Sequence, residues 1–449
     1  MLNPKTRIKW VVILCLLSCS ACGAEVDVAL PTWTPIPTPV PDVLYVDAGQ
    51  DLGPINPYVY GANYGPWVIV PVDLMPQAET AGVGFVRFPG GQWGDKNDLK
   101  DYHIDRFIAF CNQISAEPLI NTRLPGGSPE AASELVRYTN IEKNYNVRYW
   151  AIGNEPSLYA GFYDESYDTE RYNEEWRAIA EAMLAVDPDI LLIGPETHQF
   201  TGNPNTDPRD ASGRDWMREF LIKNGDLVDI VAIHRYPFPT SLSAPARTIA
   251  DLRENSKEWD TIIPNLRKLI RETIGRDLPI AVSEISSDWS HATGGEATPD
   301  SFYNAIWWGD VLGRLIQQQV DIVAYFLLQS QSGQGGWGLL ARFDVRPTYY
   351  VYQMYQQFGD ELIYASSGFS EISIYAARRS DGAMTAMIIN LGPDDVQVPL
   401  YLENLEITDP AEVWLFDVDH KAEHIGMQSI SNGSILMLPG QSISLYVFP

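Results

Sequence analysis

Cysteine is scarce in this chain, with four in 449 residues. Cys15, Cys19 and Cys22 crowd the start, and only Cys111 lies further on. The body of the chain therefore has no disulfide framework and must rely on a hydrophobic core. Cys111 sits in a helical run, Phe107-Ile108-Ala109-Phe110-Cys111, and reads as a small core residue. Positive charge is also short. Lysine and arginine total 31 against 58 acids, a formal charge of −27. So acidic a surface repels nucleic acid and other polyanions, and it is compatible with a neutral polysaccharide partner. Long apolar runs are missing too. The stretch from Trp10 to Leu17 is too short to span a bilayer as a helix. Pro89-Gly90-Gly91 follows one strand-like run, but no Gly-Lys-Ser/Thr loop follows any. That argues against a doubly wound nucleotide-binding fold. No internal repeat is visible.

What is present begins with a targeting segment. Lys5, Arg7 and Lys9 precede the short apolar stretch, which closes on Leu16-Leu17-Ser18-Cys19. Residues 1–24 resemble a bacterial lipoprotein signal, with Cys19 as the lipidated residue and Cys22 as the alternative. Residues 25–42 are rich in Pro and Thr, as in Pro35-Ile36-Pro37-Thr38-Pro39, a composition that favours an extended, semi-rigid spacer. The expectation is an extracytoplasmic protein that touches the membrane only through a lipid anchor.

From residue 54 to 360, apolar runs alternate with longer helical patterns, which predicts an α/β architecture with a parallel sheet. Strand-like runs fall near 58–63, 84–88, 118–122, 148–153, 190–194, 229–234, 279–283 and 321–327. Eight of them match a (β/α)8 TIM barrel. Between them, Tyr172, Trp176, Ile179, Met183 and Val186 recur at steps of three and four, the mark of one helical face. Asp187-Pro188 should end that helix, and Ser128-Pro129-Glu130 should start another. Residues 361–449 read differently. Short runs at 372–375, 384–389, 396–400, 412–415 and 444–447, separated by turn residues, predict an all-β sandwich. Residues 43–53 carry a strand that is expected to join it.

Two acids close apolar runs: Glu155 in Trp150-Ala151-Ile152-Gly153-Asn154-Glu155-Pro156 and Glu284 in Val282-Ser283-Glu284. As the ends of strands four and seven of one barrel, both would emerge at its functional mouth. Pro156 should hold Glu155 extended. Two facing carboxyl groups are the equipment for cutting a glycosidic bond.

These residues resemble the retaining glycoside hydrolases of clan A, the 4/7 superfamily. Phe85-Val86-Arg87-Phe88-Pro89-Gly90-Gly91, Ser128-Pro129-Glu130-Ala131-Ala132 and Tyr138-Thr139-Asn140 are similar to segments of α-L-arabinofuranosidases. Ile233-His234-Arg235-Tyr236 resembles a sixth-strand segment of several members. The Asn-Glu-Pro form leans toward β-xylosidase, endoglucanase or β-glucuronidase relatives. The resemblance implies Glu284 as nucleophile and Glu155 as acid and then base, with the Glu155 carboxyl raised. It implies that Arg87 steadies the nucleophile, that Asn154 binds the sugar hydroxyl beside the anomeric carbon, and that His234 and Tyr236 orient Glu284 or line the pocket. Gln329 and Trp337 follow the eighth strand, where relatives place a subsite.

Further candidates come from position alone. Asn121 and, more weakly, Arg123 end the third strand, and Asp288 is a substitute for Glu284. Trp93, Tyr159, Tyr163, Trp289 and Trp337 follow predicted strands and offer aromatic faces for sugar rings. His420 and His424 have a zinc-like spacing, but they fall among β runs, so no metal is expected. Two-carboxylate hydrolysis needs no cofactor. The expected activity is retaining hydrolysis of a poly- or oligosaccharide; the alternatives are a non-catalytic surface carbohydrate binder and a transglycosylase on the same scaffold.

Overall fold

The computed structural model describes residues 40–241, 243–330 and 335–449. The signal-like segment with Cys19 and Cys22, and the spacer as far as residue 39, lie outside the described residues. Eight parallel strands close into a barrel: β2 (Gly61–Asn63), β3 (Phe85–Phe88), β4 (Glu117–Thr122), β5 (Tyr149–Ile152), β6 (Leu191–Thr197), β7 (Ile230–Arg235), β8 (Ile280–Ile285) and β9 (Ile322–Tyr325). They run in chain order, and β9 pairs back onto β2.

Side chains alternate along a strand, so every second residue faces the barrel axis. Phe85, Leu119, Tyr149, Ala151, Ile193, Ile230, Ala232, Ala281 and Ile322 form one inner apolar cluster. Two residues further along β3, β4 and β7 come Arg87, Asn121 and His234. The barrel thus carries an apolar floor and, above it at the carboxyl ends, a polar layer. The outward residues Val86, Trp150, Ile152 and Val231 pack on the helices in the main core.

The helices follow their local signals. Asp168 caps Thr169–Val186 by accepting from the Arg171 N–H, and Tyr172, Trp176, Ile179 and Met183 are buried along it. Val186 is only partly buried, at the edge of the same core. Ser128 caps Pro129–Val136, with proline at the first position. Cys111 is a free, buried thiol within Asp101–Ile114.

The remaining strands make one sheet. β1 (Leu44–Pro54) precedes the barrel; after it come β10 (Glu361–Ser367), β11 (Ile372–Arg378), β12 (Met384–Asn390), β13 (Val396–Glu403), β14 (Ala411–Phe416), β15 (Glu423–Gln428), β16 (Ser434–Leu438) and β17 (Ser442–Phe448). Their order is β15-β14-β17-β12-β11-β10-β1-β13-β16. β1 lies antiparallel to β10 and parallel to β13. Leu44, Ile374, Met384, Leu400, Val413 and Leu436, drawn from strands across the whole sheet, share one core. The sheet is therefore curled over itself, as a sandwich is. His420 turns onto Asp417, and His424 lies on β15 against Trp414, so the two do not converge on a metal.

Candidate active site

Glu155 and Glu284 meet at the barrel mouth. One side-chain atom each of Glu155, His234 and Glu284 lies within 4.8 Å of the others. The Glu155 side chain keeps 15% of its surface exposed, and Glu284 keeps 4%. Glu284 is held from three sides. Its Oε1 accepts from Arg87 Nη1 at 2.7 Å and from the Gly91 N–H at 2.6 Å; its Oε2 accepts from the Tyr236 hydroxyl at 2.7 Å.

Local backbone aims these groups. Register shifts interrupt β6–β7 between Pro195 and Thr197, β7–β8 between Ile233 and His234, and β8–β9 between Val282 and Ile285. A bulge of this kind re-aims one side chain, and here the shifts fall at Glu196, His234 and Glu284. Glu155 departs from expectation. It does not end its strand in extended conformation but stands in the left-handed region, at φ 50° and ψ 57°. Pro156 excludes the right-handed helical region, and the Leu158 N–H closes a turn onto the Glu155 carbonyl. Gly153 precedes it at φ +78°, where a Cβ would come within 2.5 Å of the Tyr159 hydroxyl. That hydroxyl accepts from the Asn154 N–H and donates to Asp95. Tyr159 is thus a buried brace of the loop and offers no open ring face.

Arg87 is the hub. All five of its N–H donors are used. Nε and Nη2 fork onto Glu196 at 2.8 and 2.5 Å, Nη1 reaches Glu284 and Asn63, and Nη2 also reaches Asn154 Oδ1 at 2.8 Å. Asn121 contributes a longer bond, 3.3 Å, to Glu196.

His234 bridges the site, with Nδ1 3.1 Å from Glu155 Oε1 and Nε2 3.1 Å from the Ser283 hydroxyl. It lies 3.8 Å from Glu284, so its direct partner is the other carboxylate. Burial alone would raise the Glu155 carboxyl, but the hydrogen bond and charge of His234 outweigh it and hold the group below its usual range. Burial likewise opposes the His234 charge; Glu284 and Glu155 overcome it, and His234 is raised. This is the reverse of the expected elevation at Glu155. The two shifts oppose each other across one hydrogen bond, so the two groups titrate together.

A cleft of about 1140 Å³ opens over the carboxylates. Leu158, Phe162, Tyr236, Trp289, Phe326 and Trp337 supply its apolar walls. Trp289 donates to the Pro239 carbonyl and Trp337 to the Asp288 carbonyl, which fixes both rings. Other expected residues lie elsewhere. Trp93 packs edge-on against His103, Arg123 binds the Pro125 carbonyl and Asp98, and Tyr163 packs on Tyr159. Gln329 is buried in a bridge to Leu340. Asp288 is tied to Ser290 and paired with Arg247, away from the cleft lining.

Several site residues escaped the sequence reading: Glu196, Asn63, Gln199 and His198. Gln199 clamps the backbone of Tyr236 through both ends of its amide, and His198 lines the cleft and bonds Ser157 at 2.6 Å. Glu196 carried a signal. Gly194-Pro195-Glu196 closes an apolar run with an acid, as Glu155 and Glu284 do.

Among the described residues, Glu155, His234 and Glu284 are the one cluster with metal-ligand geometry. It suits a cation poorly. Arg87 already places its positive charge 2.7 Å from Glu284, and both His234 nitrogens are engaged.

A closed parallel barrel with paired acids at the ends of its fourth and seventh strands is the arrangement found in sugar-cleaving barrel enzymes. The chain belongs to the glycosyl hydrolases family 39, whose model matches residues 130–392, more than half of its length. By family it is a glycoside hydrolase. It is 25% identical over 159 residues to the probable alpha-L-arabinofuranosidase C of Aspergillus flavus, a match spanning 27% of this chain and 31% of that protein. The chain thus aligns with about a third of the length of that relative. Its fold is similar to CelM2, a bifunctional glucanase-xylanase from a metagenome library (19% identity, TM-score 0.69, 91% of this chain and 99% of that one). It is also similar to the GH51 alpha-L-arabinofuranosidase of Thermotoga petrophila (17% identity, TM-score 0.70, 91% and 100%).

Proposed function

We propose that the protein cleaves a glycosidic bond with retention, through a covalent sugar ester on Glu284. The observation that carries this reading is the spacing of the pair. Glu155 and Glu284 have carboxylate oxygens within 4.8 Å. Retaining enzymes hold their carboxyl groups about 5–5.5 Å apart, and inverting ones leave about 6.5–9.5 Å for a water.

In the first step a Glu284 oxygen attacks the anomeric carbon. The bond to the leaving oxygen breaks, its electron pair stays on that oxygen, and the Glu155–His234 pair delivers the proton. In the second, Glu155 takes a proton from water. The water oxygen attacks the same carbon from the opposite face, and the ester bond returns its electrons to Glu284. Asn154 Nδ2, a buried donor without a partner, would bind the hydroxyl next to the anomeric carbon. Trp289, Trp337 and Phe326 would carry the ring faces.

The substrate class we favour is an arabinose- or xylose-bearing plant polysaccharide or its oligosaccharides. It rests on the arabinofuranosidase relatives and on a cleft larger than the usual small-ligand pocket of about 300–1,000 Å³. A panel of aryl pentosides and hexosides, with the first-formed anomer read by proton NMR, tests both parts. Retained configuration on a pentoside is expected; an inverted product would remove the double displacement, and hexoside-only turnover would remove the substrate class. We also propose that Cys19 carries a lipid holding the enzyme at the cell surface; Cys19→Ser should then move it from the membrane fraction to the medium.

A further inference from the structure

Glu196 is the third carboxylate of the site, and the double displacement gives it no step. It is 1% exposed, sits at φ +58° inside the β6 irregularity, and spends both oxygens on the fully buried Arg87. A buried charge is tolerated when it is paired and hydrogen-bonded, and removing its partner is costly. That requirement changes during the reaction proposed above, on which this inference rests. When Glu284 becomes an ester it loses its charge, and Arg87 would remain as a buried cation beside a neutral group. Glu196 prevents this.

The geometry points to Glu196 as the positioning residue of the nucleophile: it is the permanent counter-ion that aims Arg87 at Glu284 and keeps the guanidinium compensated in both halves of the cycle. The fork fixes the plane of the guanidinium through two bonds, leaving Nη1 to Glu284 and Asn63. The other ionisable groups facing this cluster do not replace it. Burial raises Asp95, on the helix Trp93–Lys96, well above its ordinary value and so disfavours its charge, and it raises Tyr172 and Tyr236 in the same way. His234 shares its charge with Glu155.

The test compares wild type, Glu196→Gln and Glu196→Asp. In the Gln variant Arg87 has only Glu284 left to neutralise it, so the whole guanidinium charge bears on the nucleophile. The acid limb of kcat/KM should move down by about one pH unit or more, with kcat/KM at the optimum lower by roughly 10- to 100-fold. The Asp variant keeps the charge on a shorter arm. It should leave the limb in place and lower kcat, and it also serves if the Gln variant does not fold. A 13C carboxyl titration, with the Glu284 signal assigned by its loss in Glu284→Gln, reads the same effect without turnover. An active wild type whose acid limb and Glu284 signal are unmoved in Glu196→Gln would overturn the inference, as would an Asp variant with wild-type kcat. A wild type that cleaves no glycoside, with the Glu284 signal still shifted, would sink the hydrolase reading and leave Glu196 as Arg87's counter-ion.

Discussion

At the scale of single residues, the site is a chain of charges in which each group has one job. Arg87 presents five donors in a rigid fork, which a lysine cannot imitate. Glu284 is pinned by three donors and lines the cleft. Glu284→Ala should lower kcat by about four orders of magnitude or more while leaving the fold intact, because no charge in the cleft loses its sole partner: Arg87 keeps Glu196. Azide, small enough to occupy the lost carboxylate, should partly restore cleavage and yield the inverted glycosyl azide; wild-type turnover in this variant would take Glu284 out of the chemistry. The Glu155–His234 pair sets the alkaline side. Its last proton leaves from the raised His234, so the pair is loaded below that point and empty above it. The basic limb of kcat/KM should therefore be centred above the ordinary histidine value of 6.5. A midpoint near the ordinary glutamate value of 4.5 would mean that Glu155 holds its proton alone.

At the scale of elements, the barrel works because local period and local breaks cooperate. The strands and the helix Thr169–Val186 were legible, since alternation, three-four spacing and caps are properties of neighbours in sequence. Glu155, Glu284, Arg87 and Tyr236 were legible as strand-end residues for the same reason. The breaks were not. Ending the fifth barrel strand at Gly194 hid Glu196, because the irregularity that turns it inward depends on pairing with β7. The extended conformation expected of Glu155 failed because closure of the turn by Leu158 is a three-dimensional fact. Trp93 and Gln329 fell on the right loops, yet which way a loop residue faces is decided by its packing. Gly153 is the element-level test. With φ +78° and no room beside Tyr159, Gly153→Ala should cost about 1–3 kcal/mol of stability and displace Asn154 and Glu155. Denaturant unfolding and kcat should fall together; an alanine variant of wild-type stability would show that the turn is not constrained as described.

At the scale of the whole molecule, the barrel and the curled sheet share one core. Tyr375, Met387, Ile389, Phe416, Ile443 and Leu445 of the sheet belong to the same buried cluster as Trp308, Leu312 and Tyr352 of the barrel helices. The helix Phe302–Gln317 comes so close that a Cβ on Gly313 would meet the Tyr375 ring at 2.2 Å. Arg253 and Tyr303 both donate to the Leu391 carbonyl, and Asp310 accepts from the Tyr375 hydroxyl. Two parts bound this way should unfold as one. Calorimetry is expected to show a single transition, and a chain ended at residue 360 should be insoluble; two resolved transitions, or a folded barrel alone, would contradict the shared core.

The most direct measurement is covalent trapping. An activated 2-deoxy-2-fluoro pentoside that the enzyme turns over slowly should leave a sugar ester on the peptide carrying Glu284, located by mass spectrometry after proteolysis at low pH. Label on Glu284 is the result the double displacement requires. Label on Glu155 or Glu196, or inactivation with no covalent sugar at all, would contradict it.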